Sequence, residues 1–544
     1  MKSKITLYLL FFLVSLSLSA QDWKTYPHTP SVGSLISFPT DEGRHAAEPV
    51  EWWYTSGHFT GNTSGKEYSY MLTYFYYPVT VSIFNFEGFR ILNITDEATG
   101  AFYQDTQPIF SYSSMSETEL DIATTFTTGA EFWRNKLDGS SNAVPFQYEL
   151  SASSSVASIN FDLDTTKRPL ILDGDGYFNQ GLANYTYYYS QTANTLTGSF
   201  TLNGTTENVS GTAWIDRQYG DFNPFTGEKY EWFSLQLDNG TDLNLWNVFT
   251  ADRTIPNDPK YKILAAYVDE STQYTISDFE IERLEYFFTA DNQKSYSKKW
   301  RLTSVSKNID LIITANHTTS EVDITQLSFR FFEGSITISG TIDGNVVNGV
   351  GFAELLHDYE NPDVSITNPL AGTYDTSLPI IWDLNNPDDG RPVYYDLEYS
   401  IDNKVSFNTI VTGLTNNSYL WDGSGMSNGD LVWFKIKSYS IDNTLESEII
   451  SAAASTVTLA LNRFELEEIK IYPNPVIDEL YIDLPNVFNA GSIKIFDIDG
   501  RLLGQESINK TGAHNLNTAY LSKGMYILKF ESNNFKEFIK FIKK

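Results

Sequence analysis

The sequence of 544 residues contains no cysteine, and this absence excludes a whole set of chemistries. Disulfides, thiolate nucleophiles, cysteine-ligated zinc and iron–sulfur clusters all need the missing side chain. A lipid anchor attached through cysteine is excluded for the same reason. Any reaction carried out by this chain must therefore use oxygen and nitrogen groups.

Basic side chains are also scarce, with 37 Lys and Arg against 68 Asp and Glu, a formal net charge of −31. Nucleic-acid binding requires clustered Lys and Arg to meet the phosphates, and no basic stripe occurs. Only 19% of the residues are charged and 15% are aromatic, which is a globular composition. The length exceeds what one hydrophobic core usually supports, so we expect several domains. The scarcity of basic side chains predicts that there is no nucleic-acid partner.

A long apolar run occurs only near residue 1. A basic stretch, Met1–Lys4, is followed by the apolar run Ile5–Leu18 and by Ser19-Ala20. This order is typical of a secretory signal peptide, which we predict over residues 1–20. The run is too short to span a bilayer comfortably and no comparable run follows, so we expect an exported chain without a transmembrane segment.

Helical periodicity is nearly absent between residues 51 and 354. Apolar residues alternate with polar ones in short runs such as Tyr68–Tyr77 and Phe329–Thr341, separated by Gly, Asn and Asp. This pattern predicts an all-β fold of barrels or sandwiches. A polar segment ends at Pro362, and the residues after it show their own pattern of a few strands. We predict an immunoglobulin-like or fibronectin-III-like sandwich over residues 358–460, which acts as a spacer.

The end of the chain also consists of short alternating strands and turns. Its motifs are Tyr472-Pro473-Asn474-Pro475, the Asp499-Gly500 turn, Lys523-Gly524-Met525-Tyr526 and terminal lysines. Together they closely resemble the type IX secretion C-terminal sorting domain of Bacteroidetes, over residues 465–544. The resemblance implies that the type IX secretion machinery is a partner, and that the protein is secreted or held at the cell surface.

The densest group of chemically useful side chains lies in the segment EPVEWWYTSGHF, residues 48–59. Successive side chains of a strand face opposite sides, so Trp52 and Tyr54 share one face and Glu51 and Trp53 the other. Aromatic side chains beside a Glu and a His form a wall that excludes water and moves protons, since apolar surroundings raise the pKa of a carboxyl group. The alternative is structural: the tryptophans close a barrel and the Glu satisfies backbone donors.

A second group is GTAWIDRQYG, residues 211–220, soon followed by EWF and LNLW segments. Asp216 beside Arg217 is most simply a structural ion pair. In a functional interpretation, an Arg among aromatics and carboxylates orients an anionic or hydroxylated ligand. A third group, Asp173–Tyr177, lacks the ligand spacing of a calcium loop, so we predict a tight turn and no metal site.

The order of the motifs EWWYTSGHF, LDGDGYFNQG, YTYYYS, GTAWIDRQYG, EWFSLQLDNG and VVNGVGFAEL resembles the lipocalin-like hydroxyneurosporene synthase (carotenoid hydratase) superfamily over residues 28–356. The resemblance implies two lipocalin-like β-barrels in tandem, which we place at residues 21–190 and 191–357. It also implies acid-catalysed addition of water to a carbon–carbon double bond, the reverse reaction, or cyclisation of an apolar substrate. No metal or organic cofactor is implied.

This chain departs from that family at two motifs. Carotenoid hydratases carry Asp-His-x-Trp where this chain has Asp216-Arg217-Gln218-Tyr219, and Tyr-x-Asp where it has Asn244-Leu245-Trp246. The protonating Asp implied by the family is therefore missing on an ungapped alignment. This difference, and the export signals, argue against a carotenoid substrate.

We accordingly predict an exported carbon–oxygen lyase of the hydratase or dehydratase type, without a cofactor. Its expected substrate is extracellular, such as an unsaturated oligosaccharide from polysaccharide degradation. Proton transfer is expected from Glu51, Tyr54, His58 and Tyr219. Substrate contacts are expected from Trp52, Trp53, Tyr189, Trp214, Asp216, Arg217, Glu231 and Trp246.

Three alternatives remain open at this point. One is a hydratase or cyclase of an isoprenoid, carotenoid-like substrate. Another is a lipocalin-like binding protein at the cell surface that holds a ligand without turnover. An adhesin that uses the sandwich is the third, but it leaves the Glu-Trp-Trp-Tyr motif unexplained. Whether Glu354, on the last strand of the second barrel, reaches the site is also open.

Overall fold

A computed structural model describes residues 23–81, 83–183, 185–222, 226–324, 329–451, 455–457, 469–484, 491–509, 512–532 and 535–544. The predicted signal peptide, residues 1–20, lies outside the described residues. The chain divides into two compact units. The first comprises Met1–Ala371, Pro379–Trp421 and Val432–Ser455, and the second comprises Gly372–Leu378, Asp422–Leu431 and Thr456–Lys544.

The predicted all-β fold is confirmed. Over the part of the chain that the structure describes, the only helical segments are two 3-10 turns, Thr40–Glu42 and Pro259–Tyr261. No helix in these residues is long and apolar enough to cross a membrane. The alternating aromatic and β-branched residues form strands because such side chains pack well on a pleated surface.

The first sheet of the first unit contains thirteen strands within the described residues. They are β1 (Val50–Gly61), β2 (Glu67–Val81), β3 (Phe84–Asp96), β4 (Ala101–Ile109), β5 (Ser114–Met115), β6 (Asp121–Phe126), β7 (Gly129–Leu137), β8 (Ala143–Ser153), β9 (Ala157–Thr165), β10 (Leu170–Ile171), β11 (Tyr177–Phe178), β12 (Tyr185–Leu202) and β13 (Thr205–Asp221). Their order is β4-β3-β2-β1-β13-β12-β9-β8-β7-β6-β5, with β10 and β11 paired to β12. The sheet curls around its own core, where Trp53 of β1 and Trp133 of β7 are buried together.

The second sheet has ten described strands. They are β14 (Lys229–Leu237), β15 (Asp242–Phe249), β16 (Lys262–Asp269), β17 (Thr272–Ile276), β18 (Glu280–Phe288), β19 (Ser295–Ser304), β20 (Ile309–Ala315), β21 (Glu321–Ile324), β22 (Phe329–Ile342) and β23 (Asn345–Leu355). Their order is β17-β16-β15-β14-β23-β22-β20-β19-β18, with β21 paired to β22. This sheet also curls around its own core, which includes Phe233, Trp300 and Phe332.

The two sheets occupy the regions of the two predicted barrels, but the division between them differs from the expected one. Residue 190 lies inside β12, and both β12 and β13 belong to the first sheet. The first turn after residue 190 is at Asn203 and Gly204, which both have positive φ, as a tight hairpin requires. The chain therefore passes to the second sheet only between Asp221 and Lys229.

Each sheet has a second apolar face, and these two faces pack against each other. Their shared core contains Tyr54 and Trp214 from the first sheet and Trp232, Trp246 and Phe352 from the second. Alternation along each strand explains the arrangement, because odd and even side chains face different cores. The interface between the sheets is where the candidate site lies.

The strands after residue 363 are consistent with the predicted sandwich. They are β24 (Val364–Asn368), β25 (Gly372–Tyr374), β26 (Ser377–Leu384), β27 (Tyr394–Ser400), β28 (Asn408–Leu414), β29 (Ser418–Asp422), β30 (Leu431–Tyr439), β31 (Glu446–Ile450) and β32 (Ser455–Val457). In the first unit β24 pairs with β26, β27 pairs with β28 and β30, and β30 pairs with β31. Trp382 is fully buried here, as expected of a core residue.

The second unit holds the small C-terminal β-domain. Its strands are β33 (Lys470–Tyr472), β34 (Glu479–Leu484), β35 (Gly491–Asp497), β36 (Leu502–Ile508), β37 (Gly512–Asn517), β38 (Gly524–Ser532) and β39 (Phe535–Lys543). They form two sheets, β33-β34-β37 and β36-β35-β38-β39, around one core. The expected start of this domain at residue 465 lies outside the described residues.

Candidate functional site

A cavity of about 220 Å³ lies between the two sheets of the first unit. Most of its wall is aromatic or aliphatic, including Trp52, Phe75, Phe89, Ile91, Trp232, Trp246, Val248, Phe331 and Leu356. The wall contains few polar groups, among them Tyr54, Tyr188, Asp216, Gln218, Tyr230 and Glu354. An apolar cavity with a few convergent polar groups is the usual form of a small-molecule site.

Strand alternation selects which side chains reach the cavity. On β1, Trp52 and Tyr54 line it, whereas Glu51 and Trp53 point to the opposite side of the sheet. On β14, Trp232 lines the cavity between neighbours that face the core of the second sheet. The side chains of the Glu-Trp-Trp-Tyr segment therefore lie on the faces of β1 that alternation predicted.

Asp216 is the buried carboxyl group that the first sheet brings to the cavity. Trp214 Nε1 donates to Asp216 Oδ1 at 2.6 Å, and the Tyr188 hydroxyl donates to Asp216 Oδ2. Asn244 Nδ2 in turn donates to the Tyr188 oxygen at 2.8 Å. Burial raises the pKa of Asp216 to about 7, although the hydroxyl and indole donors lower it. At neutral pH this carboxyl group is therefore able both to give and to take a proton.

Glu333 and Glu354 are the carboxyl groups of the second sheet. They are register partners on β22 and β23, so their side chains lie on the same face of the sheet. The Tyr54 hydroxyl donates to Glu333 Oε1 at 2.8 Å, and the Tyr230 hydroxyl donates to Glu354. Burial raises the pKa of both groups, and the charge of Glu354 raises the pKa of Glu333 further. Both groups therefore hold a proton to a higher pH than an ordinary glutamate does.

Several residues predicted from the sequence meet at this cavity. Four line it: Trp52, Tyr54, Asp216 and Trp246. Trp214 is buried beside it and bonds to Asp216. Glu354, whose position was open, lines the cavity.

Glu51 lies on the other side of the first sheet, in an ion-pair network. Its Oε1 accepts from Arg217 at 2.6 Å and lies 2.7 Å from His45 Nδ1, and its Oε2 accepts from Arg44 at 2.9 Å. Burial alone would raise the pKa of Glu51. The charge of Arg217 and the hydrogen bonds from His45 and Arg217 outweigh burial and lower that pKa to about 2. Glu51 is thus ionised at neutral pH and has no proton to give.

Three more predicted residues hold the segment 40–45 against this side of the sheet. The Tyr219 hydroxyl donates to the Asp41 carboxylate, and the Tyr189 hydroxyl donates to the Asp41 carbonyl at 3.2 Å. Trp53 Nε1 donates to the backbone oxygen of residue 42 at 3.0 Å. Burial raises the pKa of Tyr219, and the neighbouring Asp41 charge raises it further. The structure does not bring these residues to the cavity.

The remaining predicted residues, His58, Glu231 and Arg217, do not line the cavity: His58 is partly buried, and the other two are buried. His58 packs on the second sheet, with Nε2 3.3 Å from the Gly351 oxygen, and burial lowers its pKa. Glu231 forms an ion pair with Arg283 at 2.5 Å, on the core side of β14. Each residue thus makes its contact within the fold, outside the cavity.

The residues to which the sequence motifs gave no role in the site are Glu333, Tyr188, Tyr230 and Asn244. Glu333 is the only acidic residue of β22 and follows Phe331 and Phe332, and an acid beside large apolar residues was the available signal. Among the described residues, no three His, Asp or Glu side chains are grouped as metal ligands are.

The fold and the cavity define a class of protein: two curled antiparallel sheets that enclose an apolar, acid-containing cavity. The chain belongs to the AttH-like family, whose model matches residues 29–359, more than half of the sequence. A second model, the secretion system C-terminal sorting domain, matches residues 470–544. That domain confirms the predicted route, type IX secretion to the cell surface or the extracellular space, and indicates interaction with the secretion machinery.

Solved structures resemble the first part of the chain. An AttH protein of Nitrosomonas europaea is 21% identical with a TM-score of 0.51, over 60% of this chain and 98% of that one. Kievitone hydratase of Nectria haematococca is 16% identical with a TM-score of 0.49, over 62% of this chain and 96% of that one. The Nitrosomonas structure supports the fold.

A curated relative is also similar over a short segment. An ulvan lyase of Nonlabens ulvanivorans is 30% identical over 81 residues. That segment is 15% of this chain and 15% of the ulvan lyase. The match therefore leaves most of both proteins uncompared.

Proposed function

We propose that the protein is an exported carbon–oxygen lyase of the hydratase or dehydratase type, acting on a small and mostly apolar substrate. One observation carries the proposal: the buried Asp216 and the partly buried Glu354, two carboxyl groups with raised pKa values, line the same apolar cavity. Perturbed carboxyl groups in a cleft are typical of acid–base catalysis. Membership of the AttH-like family and the sorting domain support an exported catalyst.

In the direction of hydration, the Glu333–Glu354 pair supplies the proton. Glu354 lines the cavity, so it protonates one carbon of the double bond and a C–H bond forms. A water oxygen then attacks the cationic carbon, a C–O bond forms, and the proton released by water passes to Asp216. Dehydration is the same sequence reversed. Two groups with different pKa values are what such a reaction needs.

The aromatic wall of the cavity stabilises the cationic carbon that forms after protonation. The rings of Trp52 and Trp232 line the cavity on opposite sheets. A ring face attracts positive charge, so a cationic carbon between these rings is stabilised. The apolar surroundings also keep bulk water from the cation.

The wall also favours an apolar substrate over a sugar. Each of the three carboxyl groups already holds a tyrosine hydroxyl, through Tyr188, Tyr54 and Tyr230. Other polar side chains, such as Thr73, Gln180 and Glu228, also line the cavity, but most of its wall is apolar. A cavity of about 220 Å³ is larger than the ~150 Å³ engineered cavity that binds benzene, so it suits a head group of one or two rings. This favours an isoprenoid-like or aromatic substrate.

An unsaturated oligosaccharide is the second candidate substrate. The ulvan lyase match and the export route support it, and aromatic side chains can stack on sugar rings. The short length of that match makes it the weaker candidate.

The test is to incubate the mature chain with a panel of small alkenes, alcohols and unsaturated oligosaccharides. Mass spectrometry detects the gain or loss of one water. We expect Glu354→Gln and Asp216→Asn to lower turnover at least a hundredfold, as is typical for removing a general acid or base. Glu285→Gln, which removes a surface ion pair with Lys299, is the matched control.

Two outcomes contradict the proposal. Full turnover by Glu354→Gln excludes the carboxyl pair as the proton source. Tight binding without turnover of any member by the wild type favours the lipocalin-like binding protein instead.

A further inference from the structure

The charged side chains in the cavity wall are all of one sign. Three acidic residues line the cavity, Asp216, Glu228 and Glu354. None of the described residues in its wall is Lys, Arg or His. Two of the acids serve the proposed reaction, but Glu228 has no part in it. A cleft with apolar walls and charges of one sign concentrates ligands of the opposite charge, so this cavity favours a cation.

Glu228 is held in a fixed position beside a short loop. It is partly exposed, directly precedes β14, and lines the cavity as Tyr230 does on the same strand. The Leu182 N–H donates to Glu228 Oε1 at 3.0 Å. The neighbouring Gly181 permits this contact, because a Cβ there would lie 2.6 Å from the same oxygen. Lys229 pairs with Asp358 instead, and no ion pair among the described residues includes Glu228.

Gln218 adds a second acceptor to the cavity wall. It is 1% exposed and lines the cavity from β13. Its Nε2 donates to Gln180 Oε1 at 2.6 Å and to Thr186 Oγ1 at 2.7 Å. Its own Oε1 is buried and accepts no hydrogen bond from the part of the chain that the structure describes. A buried acceptor without a donor is costly, so this oxygen favours a ligand that donates.

The two acceptors and two aromatic rings are neighbours. Gln180, which bonds to Gln218, directly precedes the loop residues that contact Glu228. Trp52 is the register partner of Gln218, so the two side chains lie on the same face of the sheet. The ring of Phe222, which also lines the cavity, has its centroid 5.1 Å from that of Trp52. Ring faces attract cations, so acceptor oxygens and rings together suit an ammonium group.

We propose that the substrate carries an amino group, as an ammonium ion that donates to Glu228 and Gln218, while its apolar part lies in the cavity. The acid-only wall and the unpartnered Gln218 oxygen carry this inference. It deepens the proposed function by naming the substrate class, and it rests on that function for the reaction only, because binding does not require turnover. An anionic substrate such as a uronic oligosaccharide would meet carboxyl groups without a basic partner.

The experiment compares three ligands of nearly the same shape: 3-phenylpropylamine, 3-phenylpropan-1-ol and 3-phenylpropanoate. An alkylammonium group, like that of lysine with its pKa of ~10.4, is charged at pH 7. Isothermal titration calorimetry of the full chain at pH 7 measures the affinities. We expect the amine to bind about tenfold more tightly than the alcohol, and the carboxylate at least tenfold more weakly than the alcohol.

Two substitutions of Glu228 test the assignment. Glu228→Gln should lower the affinity for the amine to that for the alcohol and leave the alcohol unchanged. Glu228→Lys should reverse the order, so that the carboxylate binds more tightly than the amine. The matched control is Glu207→Gln, which removes a carboxylate that accepts from the Ser64 N–H at 3.0 Å and does not line the cavity. It should keep the wild-type order.

Several outcomes overturn the proposal. Equal affinities of the wild type for the amine and the alcohol do so, and so does a wild type that binds none of the three ligands. A wild-type order that persists in both Glu228 variants also overturns it. Asp216→Asn should lose turnover and still prefer the amine, so failure of the proposed function is distinguishable from failure of the ammonium site. If Asp216→Asn loses the preference and Glu228→Gln keeps it, the proposal is wrong.

Discussion

Glu333 and Glu354 are register partners on two neighbouring strands, and burial raises the pKa of both carboxyl groups. Like charges opposite each other destabilise a sheet, which favours the protonated form of at least one member of the pair. Asp216 reaches the same cavity from the other sheet. Three carboxyl groups from two sheets thus lie at or beside one cavity.

The stability of the protein should depend on Asp216 between pH 4 and 7. Folded Asp216 has a pKa of about 7, whereas an unfolded Asp loses its proton near pH ~4. The folded state thus binds the proton more tightly, and the contribution of this group to the free energy of unfolding is full below pH ~4 and falls by about 4 kcal/mol as pH rises to about 7. In Asp216→Asn this decline should be absent.

Urea denaturation at a series of pH values measures this difference. The free energy of unfolding of the variant, minus that of the wild type, should grow from pH ~4 to pH ~7. A difference that stays constant over this range contradicts the raised pKa.

Turnover should rise with pH through about 7. In the hydration direction Asp216 must be ionised to accept the proton from water, and its pKa is about 7. At higher pH the rate should fall again as the Glu333–Glu354 pair loses its proton. Initial rates from pH 5 to 9 measure this profile, and a rate that is greatest at pH 5 would be inconsistent with Asp216 as the base.

Two tyrosines should respond differently to loss of the hydroxyl group. Tyr54→Phe removes the donor to Glu333 in the cavity, so turnover should fall about tenfold. Tyr219→Phe removes the bond to Asp41 on the far side of the sheet, so turnover per folded molecule should stay unchanged. Rates normalised to folded protein measure both effects. The reverse order of effects would favour the catalytic role that the sequence predicted for Tyr219.

Glu51 should stabilise the folded protein. Glu51→Gln leaves Arg44 and Arg217 buried without their carboxylate, which should cost about 3 kcal/mol in the free energy of unfolding. Because the pKa of Glu51 is lowered to about 2, its stabilising effect is present above pH ~4.3 and is lost as pH falls toward 2. Denaturation at pH 7 and pH 3 measures it. An unchanged stability at pH 7 contradicts the network.

Much of the fold could be predicted from the sequence, and only part of the site. Alternation along β1 placed Trp52 and Tyr54 on one face because period-two patterning depends on neighbouring residues alone. Glu333 could not be placed beside Tyr54, since the two are 279 residues apart and meet only when the sheets pack. Two partners of Glu51, Arg44 and His45, were missed for a different reason: the irregular segment 40–45 has no period from which its position follows.

The boundary between the two sheets could not be predicted from local sequence patterns either. Strand β12 runs through residue 190 without a turn signal, and its length was not apparent from composition. The sorting domain was predicted well because its signal is a set of local motifs at the end of the chain. Local patterns were thus sufficient to predict the face of a strand on which a side chain lies and the secretion signal. They were not sufficient to predict contacts between distant strands.

The most direct test of the central claim compares turnover by Glu354→Gln and Glu51→Gln on the same substrate, each normalised to folded protein. Glu354 lines the cavity and Glu51 lies in the ion-pair network on the other side of the sheet. We predict that Glu354→Gln loses at least a hundredfold in rate, while Glu51→Gln stays within a few-fold of the wild type. Full activity of Glu354→Gln with loss of activity in Glu51→Gln would contradict the account.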